Sequence, residues 1–265
     1  MYIAQTAPYY RPLIGFPKAW TSGTGGLKKA QVILVEARDS ADFVSKYSGK
    51  LKDKIIIMNR QDTLMPSFMP DARRYTEAEL QEMSARKPVV PAYPRPATPV
   101  RSEVSPAILL NDVKEVAKGE GAIAVLTYSM RGRDGTLFVQ GGGPYKKEDP
   151  ENFTDIMIAA EDYKSIVRLL QGGIPVEIET DIQTRFTAQD TRGYNVLAEI
   201  RGSDKKLKDE VVMLGAHLDS WQGSTGATDN AAGSAGMMEA VRILKGLGVQ
   251  PRRTIRIALW SGEEQ

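Results

Sequence analysis

The sequence predicts an α/β protein with a mixed, partly parallel sheet and flanking helices, and three observations carry that expectation. Short apolar runs rich in β-branched residues recur along the chain, at AQVILVE (30–36), DKIIIMN (53–59), AIAVLTY (122–128) and RRTIRIALW (252–260). Runs of that length between polar segments read as buried strands. Amphipathic stretches stopped by glycine alternate with them, as in AAEDYKSIVRLLQGG and DNAAGSAGMMEAVRILKGLG, which is the pattern of helices with a glycine just past the end. Finally, residues 194–260 run strand, strand, helix, strand. The helix is long enough to be the crossover of a parallel pair, and parallel sheets are covered by helices on both faces.

Taken in order, 30–36 and 53–59 are strands separated by the polar stretch DSADFVSKYSGKLK, and Thr76 with Glu79 forms a capping box that opens a short helix through about Arg86. PVVPAYPRPATPVRSEVSP (88–106) follows. Its repeated prolines exclude a helix or a central strand and predict an extended surface excursion. NDVKEVAKGEG is a glycine-stopped helix, AIAVLTY a strand, and Gly141, Gly142 and Gly143 a flexible hairpin, since no phosphate-binding glycine pattern surrounds them. IPVEIETDIQTRF alternates like a strand. YNVLAEIRG and DEVVMLGAHLD are strands about a hairpin apart, with Lys205, Lys206 and Lys208 on the solvated turn between them.

Composition excludes several function classes. With 35 basic and 33 acidic residues and a net charge of +2, nothing argues for nucleic acid or a charged membrane surface. The absence of cysteine removes disulfides, thiolate metal sites and thiol nucleophiles. No apolar run is long enough to span a bilayer, and MYIAQTAPYYRP has no export-signal pattern. Chemistry must come from oxygen and one imidazole.

That imidazole, His217, ends the apolar run VVMLGAHLD together with Asp219. Two residues apart on a strand, both side chains share a face at the C-terminal end, the edge where open α/β sheets bind ligands. The run itself reads as a strand buried on both faces. Asp229 opens the following helix as an acidic N-terminal residue. TIRIALW leads directly into Ser261, Gly262, Glu263 and Glu264, and adjacent carboxylates at the end of an apolar strand are costly without a neutralising cation. A divalent metal neutralises His217, Asp229 and a glutamate together, and imidazole with carboxylate oxygen is a zinc-type set. Asp219 can accept the other ring N–H of His217. One glutamate is then a ligand, and the other is free to take a proton from water.

GAHLDSW, GATDNAAG and ALWSGEEQ resemble the co-catalytic dizinc aminopeptidase and glutamate carboxypeptidase family, in particular its plasma glutamate carboxypeptidase branch. PLIGFPKAWTSGT, GKLKDKIIIMN and IMIAAEDYKSIVRLLQGGIPVEIET resemble that branch's protease-associated domain and its flanks. The resemblance implies an N-terminal flank of the peptidase domain over 1–23, an inserted protease-associated-like α+β domain over 24–185, and the first part of a zinc-peptidase catalytic domain over 186–265. It further implies that His217 holds one zinc, Asp229 bridges two, Glu264 holds the other, Glu263 is the general base and Asp219 orients His217. The expected reaction is hydrolysis of a terminal peptide bond of a peptide or dipeptide, in a secreted or periplasmic protein whose oligomeric state, homo-oligomer included, is left open. The family pattern continues to a further acidic ligand and a late histidine, whereas this chain has one His. The expectation is therefore a piece of a longer enzyme, inactive by itself. Two alternatives accompany it: a non-catalytic, receptor-like member of the same fold, and a single-zinc acyltransferase of the glutaminyl cyclase kind.

Overall fold

The computed structural model describes residues 1–60, 62, 64, 68, 70, 72–86, 106–187 and 189–264, and the chain divides into two units, Met1–Arg185 and Phe186–Gln265. The proline-rich stretch falls almost wholly outside the described residues.

In the first unit the described residues form an eight-stranded sheet from β1 (Tyr2–Ala7), β2 (Arg11–Pro12), β3 (Gly15–Pro17), β4 (Lys28–Val35), β5 (Ile55–Met58), β6 (Ala124–Thr127), β7 (Asp155–Ile158) and β8 (Glu177–Asp181), in the order β2-β1-β8-β4-β5-β6-β7-β3. The four central strands β4 to β7 are parallel, and the remaining strands pair antiparallel. Alternation along β5 explains the layering. Ile55 and Ile57 join Ile156, Ile158, Tyr163 and Ile166 in one core, under helix α4 (Ala160–Gln171). Ile56 points the other way, to Phe43, Val113 and Ala117, on α1 (Ser40–Tyr47) and α3 (Pro106–Glu120). All three isoleucines are fully buried, each stabilising the fold by about 1.5–3 kcal/mol relative to exposure. The capping box at Thr76 and Glu79 forms as expected and opens α2 (Glu77–Ala85).

Two expectations need correction. The stretch between the first two apolar runs contains α1, whose N-cap Asp39 accepts the Asp42 N–H at 2.8 Å and whose buried face is Phe43. The triglycine segment is not a hairpin: Gly141 bridges Ala19, and the Gly142 N–H donates to the Ala19 carbonyl at 2.8 Å. A Cβ at Gly143 would lie 2.1 Å from the Asn152 side chain, so glycine is required by close approach. Nearby, the fully buried Asp155 pairs with Lys18 at 3.0 Å and Lys114 at 2.5 Å and accepts from the Thr127 hydroxyl at 2.6 Å.

The second unit contains β9 (Val196–Ile200), β10 (Val211–His217), α5 (Gly233–Gly246) and β11 (Thr254–Trp260). β10 and β11 are parallel around α5, the expected β-α-β unit. The strand order is β10-β11-β9. β9 and β10 are therefore not a hairpin; β11 lies between them, antiparallel to β9. The reason is burial: Ile257, Ala258 and Leu259 of β11 are 7% exposed or less, and the centre of a sheet shields a strand best. β10 in turn is not buried on both faces, since Val211, Val212 and Met213 are 42–50% exposed. Nor does Asp229 cap α5. It lies in an irregular turn, Ala227–Ala232, with φ −114° and ψ 92°, and the helix N-cap is Ala232. Among the described residues α5 is the only α-helix of this unit, so helices on both faces are realised in the first unit instead.

Candidate metal centre

Parallel pairing brings the ends of two strands together. His217 stands opposite Trp260 in the β10–β11 register, and the Leu218 N–H donates to the Trp260 carbonyl at 2.5 Å. The residues that continue each strand, Leu218–Asp219 and Ser261–Glu264, therefore emerge side by side. Gly215 makes room for this arrangement, because a Cβ there would lie 2.1 Å from the Trp260 ring. The third contributor is the turn before α5. Gly226 has φ +68°, a conformation glycine adopts without steric cost. Three residues on, Asp229 reaches the same edge.

The five residues singled out by sequence are brought together. His217 Nε2 lies 2.9 Å from Asp229 Oδ1 and 3.9 Å from Glu263 Oε2. One ligand atom each from His217, Asp229 and Glu264 falls within a mutual distance of 4.8 Å. Asp219 does more than face the ring. Its backbone carbonyl lies 3.1 Å from His217 Nδ1 and its Oδ1 3.5 Å away. Its carboxylate also accepts the Glu263 N–H at 3.4 Å and the Glu264 N–H at 3.1 Å. Burial would raise the Asp219 pKa, but hydrogen bonds from backbone N–H groups, Glu264 foremost, hold it below the ordinary carboxylate value.

The donor set fits a cation. Nδ1 faces two oxygens of Asp219, so its proton belongs there and Nε2 carries a lone pair. That lone pair nevertheless points at a carboxylate 2.9 Å away, with a second one beyond it. Two acceptors at that distance need a proton or a metal between them. The His217 pKa shifts accordingly: burial lowers it, but the Asp219 carbonyl and the Glu263 and Asp229 carboxylates outweigh burial and leave it raised. The histidine side chain is 12% exposed, against 75% for Asp229 and 62% for Glu263. The ligand base is thus shielded while the acids face solvent.

Two further residues hold this edge and had no signal in the sequence. Asn195 Oδ1 accepts the Ser261 N–H at 3.0 Å. The buried Ser234 on α5 donates to the His217 carbonyl at 2.9 Å. Neither is recognisable without knowing which strand ends meet.

Fold and site together define a class: an α/β protein in which His217, Asp229 and Glu264 form a group that could hold a metal ion. Comparison with known proteins points to a family through part of the chain. Residues 195–265 match the profile described as Peptidase family M28. Carboxypeptidase Q of Homo sapiens is 39% identical over 108 residues, 41% of this chain and 22% of that protein. Leupeptin-inactivating enzyme 1 of Streptomyces exfoliatus is 32% identical over 102 residues, 38% and 23% of the two chains. Among solved structures, a peptidase M28 precursor from Shewanella amazonensis superimposes with a TM-score of 0.55 at 23% identity, over 99% of this chain and 51% of that one. A zinc aminopeptidase from Bacillus subtilis gives 0.52 at 18%, over 97% and 48%. The chain spans about half the length of these solved relatives. The fold is that of M28 peptidases, and one of these solved relatives is itself a zinc aminopeptidase. Among the described residues no helix is long and apolar enough to cross a membrane.

Proposed function

We propose that the protein is a dizinc exopeptidase that hydrolyses terminal peptide bonds of peptides or dipeptides. The observation that carries this reading is the convergence of His217, Asp229 and Glu264 within 4.8 Å beside a fourth, solvent-facing carboxylate, Glu263. In this reading His217 Nε2 would hold one zinc, Glu264 would hold the second, and Asp229 would contribute to both. When bound, zinc supplies Lewis-acid polarisation of a carbonyl and acidifies water. Glu263 takes the proton of the attacking water on a carboxylate oxygen and returns it to the leaving amine. Asp219 keeps the His217 proton on Nδ1, so that Nε2 remains a donor to metal. Residues 24–185 are read as a protease-associated-like domain and 1–23 as a flank of the peptidase domain. A secreted or periplasmic site of action follows from the resemblance to that family.

The test is release of free amino acids from a dipeptide panel by zinc-loaded protein, prepared both as these 265 residues and from the full coding sequence. Glu263→Gln is expected to lower kcat about 10²–10⁴-fold, the range of a lost general base, with zinc content unchanged. His217→Ala is expected to lose both zinc and activity. Absence of hydrolysis on every terminal substrate, with less than two zinc ions bound, would favour the receptor-like reading instead.

A further inference from the structure

The Ser261–Glu264 turn supplies two of the acids at this edge, yet it is a short connection after a strand, with Gly262 at φ +89°. Such a turn has little rigidity of its own, whereas a general base must be held to a fraction of an ångström. Its N–H groups are gripped from two sides. Asn195, from the loop ahead of β9, accepts the Ser261 N–H at 3.0 Å, and Asp219, from the loop after β10, accepts those of Glu263 and Glu264 at 3.4 and 3.1 Å. The first anchor is itself closely seated, because a Cβ at Gly193 would come within 2.9 Å of the Ser261 hydroxyl. The second also touches the His217 ring through its own carbonyl and Oδ1. We propose that Asn195 and Asp219 form a two-point clamp on the Ser261–Glu264 turn, which makes both of them positioning residues that set Glu263 and Glu264 against His217.

This goes beyond orientation of the histidine. Asn195 does not bond the His217 ring, so any effect it has on the centre must pass through the turn. The inference deepens the proposed exopeptidase reading and rests on it only for its catalytic consequence; the clamp itself is a statement about backbone amides.

Amide hydrogen exchange with residue resolution, on the 265-residue chain without metal, tests the clamp directly. In Asn195→Ala exchange is expected to rise at least about tenfold at Ser261. In Asp219→Ala the same rise is expected at Glu263 and Glu264, and in Asp219→Asn, which keeps one acceptor oxygen, at one of the two. Asn195→Asp, which retains the acceptor, should restore protection. Unchanged exchange at these amides in folded variants overturns the proposal, whatever the activity. Zinc alone serves as the second probe. Two anchors of one turn must couple, so the double Asn195→Ala, Asp219→Ala variant should weaken zinc binding by clearly less than the product of the single effects. Strict additivity would mean that Asp219 acts through His217 alone, and would overturn the clamp. In the active form, Asn195→Ala should lower kcat about tenfold with KM within about twofold. If exchange responds as expected but no variant or parent hydrolyses peptides, the clamp stands and the exopeptidase reading falls.

Discussion

The two units use the same β-α-β vocabulary to opposite ends. In the first, four parallel strands are packed on both faces, with Ile55, Ile56 and Ile57 fully buried between α4 on one side and α1 and α3 on the other. In the second, the buried core is Ala216, Ile257 and Leu259, backed by Met237 and Val241, and β10 leaves Val211 to Met213 substantially exposed. Yet the second unit carries the imidazole, the converging carboxylates and the M28 match. Packing and chemistry are thus concentrated in different parts of the chain. Burial makes a unit stable, while ligands must remain partly open to solvent to do anything.

Substitutions can break or sharpen that contrast. The largest expected effect on stability is in the first unit at Asp155, which two lysines neutralise inside the core. Asp155→Asn leaves two buried ammonium groups without their counter-charge, and urea unfolding of the first unit should lose about 3–5 kcal/mol; a loss below about 1 kcal/mol would mean that the pairs are effectively solvated. Next comes a matched pair of core truncations. Ile56→Ala should cost about 4 kcal/mol and Leu259→Ala about 2 kcal/mol, because a residue with neighbours on every side leaves a cavity that cannot collapse. Equal costs would show that the smaller cluster is as tightly packed as the larger.

The smallest effect is a pH slope. Burial lowers the Lys18 pKa, with Lys114 adding to the shift and Asp155 opposing it. A base whose folded pKa lies below its ordinary value of 10.5 is protonated more in the unfolded chain than in the native one. Between the two values stability therefore rises with pH. The urea midpoint of the first unit should increase modestly as the pH rises toward 10.5, and Lys18→Met should remove that part of the slope. A midpoint equally steep in the variant assigns the slope to another group.

Much of this was legible in the sequence because the signals were local. Strand β11 and helices α2 and α4 follow from apolar periodicity, the capping box and glycine stops. His217, Asp219, Glu263 and Glu264 stood out because polar groups ending apolar runs need a reason. What escaped was either faint or non-local. α1 buries a single residue, Phe43, too little for a visible stripe, although Asp39 was a readable cap. The order β10-β11-β9 depends on which strand is best shielded in the middle, and ion pairs such as Arg256–Glu199 between β11 and β9 are invisible until the strands are paired. Asp229 was read as a helix cap because it precedes a helical pattern; its actual place in an irregular turn with non-helical angles has no sequence period to betray it. Asn195 and Ser234 act on backbone atoms far along the chain, which no spacing rule encodes.

The seating of Trp260 over Gly215, beside His217 in the strand register, also gives the site an optical handle. The chain has three tryptophans; Trp221 and Trp260 belong to the second unit and Trp20 to the first. Cobalt(II) absorbs in the near ultraviolet and visible and quenches nearby indole emission, whereas zinc does not. Titrating the two ions in turn should therefore dim the fluorescence with cobalt and leave it nearly constant with zinc, and replacing Trp260 with Phe should remove much of the cobalt response. Binding of cobalt at the proposed centre can in this way be tested by light alone, without waiting for a substrate.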